Sequence, residues 1–306
     1  MGETHYADSM IGLIAIDLDG TLLDAHGGVS SANLRAVQRL READWLVVPA
    51  TGRSWRESKR TLEVIDHDGV VITAGGSVLS DARTGETLQR IAIEENLVHE
   101  LAQALLEYGL TAHLLRDHHR CDHDYCMIGS GALDPATVWW LQQHAVPVRH
   151  VTTLADSLVL GHDHVLRVGA IDRADRLQPV CREMRQRFGE RATMQSWSAV
   201  TAEQAVGSVT HLLEIFAPES DKWTMVQRVR DAHGVDHHRV VAIGDGLNDL
   251  CMVREAPLGV AMKNADPQLL MHANHVAPHH AEDGFADTVA RLLDGTLALP
   301  SVEPSA

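Results

Sequence analysis

The sequence predicts an α/β protein: a Rossmann-like parallel-sheet core with an α+β unit inserted in its middle. Three observations carry this. Short apolar runs alternate with amphipathic stretches as far as Gly76, the same rhythm returns after Pro218, and the runs in both halves end in polar, glycine-containing turns. Strand–helix alternation of this kind is the pattern of a parallel sheet with helices on its faces. The 306 residues also exceed one comfortable core and suggest two domains.

The apolar run 11–16 reads as a buried strand that ends in Asp17-Leu18-Asp19-Gly20. Residues two apart on an extended chain point the same way, so Asp17 and Asp19 share a face at the strand's carboxyl end. Gly20 gives a turn with close backbone access. Adjacent acids favour neutral forms unless a cation sits beside them, and a hard, oxygen-preferring ion such as Mg2+ suits the pair. Ser30 or Ser31 caps a helix over about 33–43, with Leu34, Val37 and Leu40 on one face. A second strand over 45–50 ends in Thr51-Gly52-Arg53, a helix follows from Ser54 to about 64, and a third strand over 70–73 ends in Ala74-Gly75-Gly76.

The rhythm then changes. A hairpin around Thr84-Gly85 and a helix over about 95–108 precede strands at 111–115, 124–128, 146–151, 165–171, 192–196 and 211–216, with helices near 135–144 and 174–188. After Pro218 come a helix over 222–232, a strand over 240–243 ending in Gly244-Asp245-Gly246-Leu247-Asn248-Asp249, a helix to about 255, a strand over 258–261 and a last helix over 284–293. The expected division is a core of residues 1–84 and 217–306 with a cap of residues 85–216. Gly85 and Ala217-Pro218 are the hinge candidates.

Composition narrows the function. A formal net charge of −16 argues against a general nucleic-acid binder and against an anionic membrane surface. No apolar run approaches membrane-spanning length. Glu3 and Asp8 make the N-terminus acidic, without the basic region of a signal peptide. Cys121, Cys126, Cys181 and Cys251 are sparse enough for reduced thiols. A cytoplasmic protein is expected.

Ligands of open parallel sheets bind beyond the strands' carboxyl ends. Three such ends carry Asp17/Asp19, Thr51-Gly52-Arg53 and Asp245/Asn248/Asp249, and Lys222 opens a helix. Four carboxylates converging within about 5 Å would cost roughly 3 kcal/mol per pair at an effective dielectric near 20. A divalent cation plus Lys222 nearly neutralises them, and an oxygen-lined cationic site with helix N-termini suits a phosphate. Which of Asp17 and Asp19 is a nucleophile does not follow from the residues themselves.

These motifs resemble those of the haloacid dehalogenase (HAD) superfamily of phosphatases, and most closely its Cof-like, subclass IIB branch, whose α+β cap is of type C2B. Asp17-Leu18-Asp19-Gly20-Thr21-Leu22, Thr51-Gly52-Arg53, Lys222 and Gly244-Asp245-Gly246-Leu247-Asn248-Asp249 match the four motifs in order, and Gly259-Val260-Ala261-Met262-Lys263-Asn264-Ala265 and Glu282-Asp283-Gly284 resemble branch signatures. The resemblance implies that Asp17 attacks phosphorus and that Asp19 is the general acid and base. It implies that Mg2+ is held by Asp17, Asp19 (through its carbonyl) and Asp245, with Asp249 close by, and that Thr51, Gly52, Lys222 and Asn248 bind phosphate.

The sequence departs from the branch at Ala74-Gly75, where Asn-Gly is usual, at Trp223 after the motif lysine, read as a core residue, and at Lys263, where Gly is common. In the cap, His118-His119-Arg120-Cys121-Asp122-His123-Asp124-Tyr125-Cys126 matches no standard zinc spacing and reads as a loop, with a role in substrate selection as one alternative. Gly75, Arg116, His118 and His119 are the candidate specificity residues. The pairs His162/His164, His237/His238 and His279/His280 read as surface positions. The expected function is a Mg2+-dependent phosphatase of a small phosphorylated metabolite, a sugar phosphate or cofactor-like phosphate, acting as a monomer or small homo-oligomer. The alternatives are a phosphosugar mutase of the phosphomannomutase-like type and a non-catalytic phosphometabolite sensor.

Overall fold

The computed structural model describes residues 12–131, 133, 135–159, 161–198 and 210–300. The acidic N-terminus, Ile11 of the first run and the tail beyond 300 lie outside the described residues. The chain opens with β1 (Gly12–Ile16), α1 (Ser31–Glu42), β2 (Trp45–Pro49), α2 (Trp55–Val64), β3 (Val70–Thr73), β4 (Val78–Asp81) and β5 (Thr87–Arg90). The middle runs α3 (Glu95–Glu107), β6 (Ala112–Arg116), β7 (Tyr125–Ile128), α4 (Pro135–Gln143), β8 (Val148–Val151), α5 (Leu154–Val159), β9 (Val165–Arg173), α6 (Ala174–Phe188), β10 (Thr193–Ser198) and β11 (Thr210–Phe216). The chain closes with α7 (Lys222–Ala232), β12 (Val240–Gly244), α8 (Leu250–Glu255), β13 (Leu258–Met262), α9 (Pro267–Leu270), β14 (His275–Ala277) and α10 (Gly284–Leu293).

The core sheet is parallel, in the order β14-β13-β12-β1-β2. β3 joins beside β2 through one parallel bridge, Ala50 to Ile72, and then pairs antiparallel with β4. All five residues of β1 are buried, which is why it reads as an unbroken apolar run. Ile14 and Ile16 face α1 and α10 through Val37, Leu40, Phe285 and Val289. Leu13 and Ala15 face α7 and α8 through Val226, Val229, Met252 and Val253. Each such aliphatic side chain contributes about 1.5–3 kcal/mol on burial, and together they fix β1 and β12 side by side with their carboxyl ends level.

The cap sheet has the order β10-β11-β9-β6-β7-β8, antiparallel except for β7 beside β8. One face packs under α3 and α6, where Leu101, Leu105, Leu177 and Met184 meet Leu114, Val168 and Ile215. The other face turns toward the core. There Leu115, Tyr125, Met127 and Leu166 meet Ala74 and Val78.

Local signals fix the helix starts. Ser30 accepts from Asn33 N at the head of α1, and Ser54 and Glu57 form a reciprocal cap on α2. α5, α9 and β14 have six, four and three residues, too short for a period to show in sequence. Trp223 is buried in the core and Lys263 is exposed, as expected. His162 corrects the surface reading: it is 4% exposed, and Nε2 sits 2.9 Å from Ser157 Oγ. No helix among the described residues is long and apolar enough to cross a membrane.

The boundary expected at 84/85 falls in the turn of the β4–β5 hairpin, whose strands are paired to each other and to β3. Gly85 lies in that turn at φ +76°, with Trp55 and His118 atoms 2.8 Å from where its Cβ would be. We propose that the inserted unit starts after Arg90 and ends near Ala217. The two crossings lie close together. Ser77 Oγ and Ser220 Oγ are 2.6 Å apart, and Ile91 N donates to Ser77 O at 2.8 Å.

Gly76 has φ +102°, and a Cβ there would lie 2.2 Å from the Asp221 carbonyl, directly before Lys222. Gly76→Ala should therefore destabilise the protein by about 2–4 kcal/mol in urea unfolding. A loss below about 1 kcal/mol would show that this approach is not a constraint.

Candidate active site

The site is built at the level carboxyl ends of β1, β2 and β12. Asp17 follows β1, is 4% exposed, and its N–H donates to Ile243 O at 3.0 Å. Thr51 follows β2: its N–H donates to Ile72 O at 2.9 Å, its carbonyl accepts from Gly75 N at 3.0 Å, and its Oγ1 accepts from Arg53 N at 3.2 Å. Gly52 lies beside Asn248, whose Nδ2 is 3.4 Å from the position of a Gly52 Cβ. Gly20, at φ +73°, brings its turn against Asp245; a Cβ there would be 2.1 Å from Asp245 Oδ2.

Lys222 is wholly buried at the head of α7 and donates from Nζ to Asp17 Oδ1 and Asp249 Oδ1, both at 2.6 Å. The other Asp249 oxygen accepts from the backbone N–H of Asp245 at 3.0 Å and of Gly246 at 2.9 Å. Asp249 thus orients Lys222 and ties the turn after β12. Asn264, assigned no role from sequence, donates from Nδ2 to Asp245 Oδ2 at 3.0 Å and to Gly20 O at 2.8 Å.

Burial raises the Asp17 carboxyl well above its ordinary range, with Asp249 adding to the effect and Lys222 opposing it. Burial and then Asp249 push Asp245 up to about 7. Burial alone would pull the Lys222 ammonium down, but Asp17 and Asp249 outweigh it and hold it above its ordinary value. Asp17, Asp245 and Asp249 each offer an oxygen within 4.8 Å of the others, the one such grouping of metal-ligating side chains among the described residues. Four carboxylates, counting Asp19, face two cations, Lys222 and Arg53, so two negative charges remain. A divalent ion matches that remainder, and an all-oxygen donor set fits the Mg2+ class.

The Asp19 carboxylate does not join the trio. It pairs with Arg53, which donates from Nε to Oδ2 at 2.7 Å and from a terminal nitrogen to Oδ1. The Arg53 guanidinium in turn lies 4.9 Å over the Trp140 ring of α4, so a cap residue covers the arm that holds Asp19.

The neighbours of Arg53 dock the rest of the cap. Arg56 Nε meets Asp124 at 2.7 Å, and Glu57 Oε1 accepts from Trp140 Nε1 at 2.7 Å and from Tyr125 OH at 3.4 Å. From the cap side, Arg167 donates to Gly52 O at 3.1 Å and to Tyr125 OH at 2.8 Å, and pairs with Glu214.

The specificity residues expected from sequence do not gather here. Arg116 is buried on the opposite face of the cap sheet from Arg167, where it meets Asp163 at 3.3 Å. His118 stacks on Trp55 at 5.0 Å, and His119 is exposed. Gly75 is buried beneath Phe216, whose ring would stand 2.9 Å from a Cβ. The Cys/His segment does not converge: Cys126 packs under α3 and α6, while Cys121 is half-buried. A charged residue inside an otherwise apolar strand, Arg167 in β9 and Glu214 in β11, was the signal that marks the groups that do face the core.

A family model for haloacid dehalogenase-like hydrolases matches residues 14–289. The chain is 25% identical over 307 aligned residues to a 5-amino-6-(5-phospho-D-ribitylamino)uracil phosphatase, YwtE, of Bacillus subtilis, covering 93% of this chain and 99% of that protein. It is 25% identical to an HMP-PP phosphatase of Citrobacter koseri, covering 88% and 90%. Among solved structures, a HAD subclass IIB sugar phosphatase superposes with a TM-score of 0.73 at 16% identity, covering 94% of this chain and all of the other; at that identity the likeness speaks to fold.

A cation bound by this trio would bind with an affinity that depends on pH. Asp245, raised to about 7, must give up its proton to a cation. The affinity for Mg2+ should therefore fall about tenfold or more from pH 8 to pH 6, with proton release in calorimetry. The same raised carboxyls bind protons in the folded state that the unfolded chain does not. The metal-free protein should therefore gain stability as pH falls from about 7 toward 4. A pH-independent affinity would refute this account.

Proposed function

The chain belongs to the haloacid dehalogenase-like hydrolases, and on that footing we propose that it is a Mg2+-dependent phosphatase of a small phosphorylated metabolite, working through an aspartyl-phosphate on Asp17. The observation that carries this is the buried Lys222, bonded to both Asp17 and Asp249 with Asp245 alongside. A lysine clamped between acids, with two charges left for a divalent ion, is a site made to hold a phosphoryl group and neutralise it.

Asp17 lies at the mouth of β1 and attacks phosphorus through a carboxylate oxygen. The bond to the leaving oxygen breaks, and that oxygen takes its electron pair and a proton from Asp19. Asp19 then takes a proton from water, whose oxygen attacks phosphorus and breaks the bond to Asp17. Arg53 holds both Asp19 oxygens in the structure, and its contact with Trp140 links that arm to the cap; Asp19 leaves this pair and takes up a proton before it donates one. Thr51, Gly52, Lys222 and Asn248 surround the phosphate oxygens. Mg2+ would be held by Asp17, Asp245 and the Asp19 carbonyl, with Asp249 adjacent, and would supply charge neutralisation at the phosphoryl oxygens. The closed seam of Arg56–Asp124, Glu57–Trp140 and Arg167–Gly52 excludes water from the reaction.

The relatives named for a ribitylamino-uracil phosphate and for HMP-PP support a metabolite-sized substrate. We assign the enzyme to the cytoplasm, as a monomer or small homo-oligomer.

Phosphate release from a panel of phosphorylated sugars and cofactors should require Mg2+, stop with EDTA, and fall about a thousandfold or more in Asp17→Asn. Release that survives in Asp17→Asn would overturn the nucleophile assignment. A requirement for an activating bisphosphate, with little free phosphate, would instead mark a mutase.

A further inference from the structure

Cross-strand partners share a face of a sheet. Arg167 pairs with Leu115 and Phe216, Tyr125 with Leu115, His113 and Glu214 with Gly169, and Gln195 with Glu214. Tyr125, Arg167, His113, Glu214 and Gln195 therefore lie on the face of the cap sheet that turns toward the core. Arg167 reaches Gly52 O from this face, and β10 lies against the turn that carries Asn248. The stripe thus stands over the phosphate subsite, where the rest of a substrate must lie.

Its charge is already spent. The Arg167 guanidinium pairs with Glu214, and the Glu57 carboxylate also faces it. Glu214 and Glu57 thus both face the one guanidinium that reaches Gly52, and burial raises the Glu214 carboxyl. Below, Lys222 and Arg53 are committed to Asp17, Asp249 and Asp19. The groups that remain are uncharged hydrogen-bonding ones. Gln195 Oε1 is buried without a partner among the described residues, and burial, then Arg167 and His150, hold His113 at about 4, so it is neutral near pH 7.

We infer that the space over the phosphate subsite takes a neutral, hydroxyl-bearing leaving group and excludes one that carries a second anionic group, with Glu214 as the residue that sets this preference. This rests on the phosphatase reading above and narrows it. A second anion would meet Glu57 and Glu214 with no uncommitted cation on this face among the described residues to receive it, at a cost undiminished by burial. Hydroxyls match the amide and imidazole that are left.

The test compares sorbitol 6-phosphate with 6-phosphogluconate, the same carbon skeleton without and with a carboxylate. Each is assayed as substrate and as competitor of p-nitrophenyl phosphate, with Mg2+. Wild type should favour sorbitol 6-phosphate at least tenfold in kcat/KM or in competition. Glu214→Gln frees Arg167 and should shrink that ratio about tenfold. Gln195→Glu adds a charge to the stripe and should widen it, which keeps a readout should Glu214→Gln fail to fold. A wild-type ratio near one, a ratio indifferent to these substitutions, or p-nitrophenyl phosphate hydrolysis that neither compound inhibits would overturn the inference alone. No hydrolysis of p-nitrophenyl phosphate would overturn the phosphatase reading and the inference with it.

Discussion

One buried ammonium holds the site together. Lys222 Nζ has no contact with solvent, and its hydrogen bonds to Asp17 and Asp249 join carboxylates from the ends of different strands. A buried ion pair of this kind adds little to net stability, because removing the charges from water is costly. What it supplies is position. Breaking it would leave Asp17 and Asp249 facing each other in a low-dielectric pocket, where like charges cannot both persist. The surrounding geometry follows from that need. Gly76 lets the chain pass against Asp221, so that α7 can begin with its lysine aimed inward, and Asn264 braces Asp245 from the far side.

The turn that leads from β2 into α2 serves two purposes at once. Thr51 and Gly52 lie beside Asn248 in the candidate site, while Arg53, Trp55, Arg56 and Glu57 meet the cap through Trp140, His118, Asp124 and Tyr125. Chemistry and closure therefore share one rigid element, whose start is fixed by the reciprocal Ser54–Glu57 cap. A shift of the cap on this turn is felt at Asp19 through Arg53 without any intermediate loop.

Much of this was legible in the sequence because it is local. Alternating runs give strands and helices, and acids at the end of an apolar strand give the candidate site; Asp17, Asp245, Asp249 and Lys222 do converge. What sequence could not give is facing. Arg116 and Arg167 are both arginines in cap strands, and a bulge at Leu115/Arg116 and the strand register put one under the helices and the other over the core. His118, a candidate specificity residue in sequence, is a stacking partner of Trp55, because the hairpin turn at Gly85 comes back against both. The pairing of Arg53 with Asp19 spans 34 residues and was hidden in a motif read for its threonine.

The ion pair between Lys222 and Asp17 joins residues 205 apart in the chain. During synthesis, Asp17 emerges long before Lys222, and the whole inserted unit is made in between. Because the crossings proposed after Arg90 and near Ala217 are drawn together through Ser77 and Ser220, that unit returns the chain to the place it left, so its length adds little to the entropy of closing the core. Catalytic competence is thus a property of the finished polypeptide. Nothing short of the turn at Asp249 has a complete set of charges, and a chain interrupted anywhere in the cap carries Asp17 without Lys222.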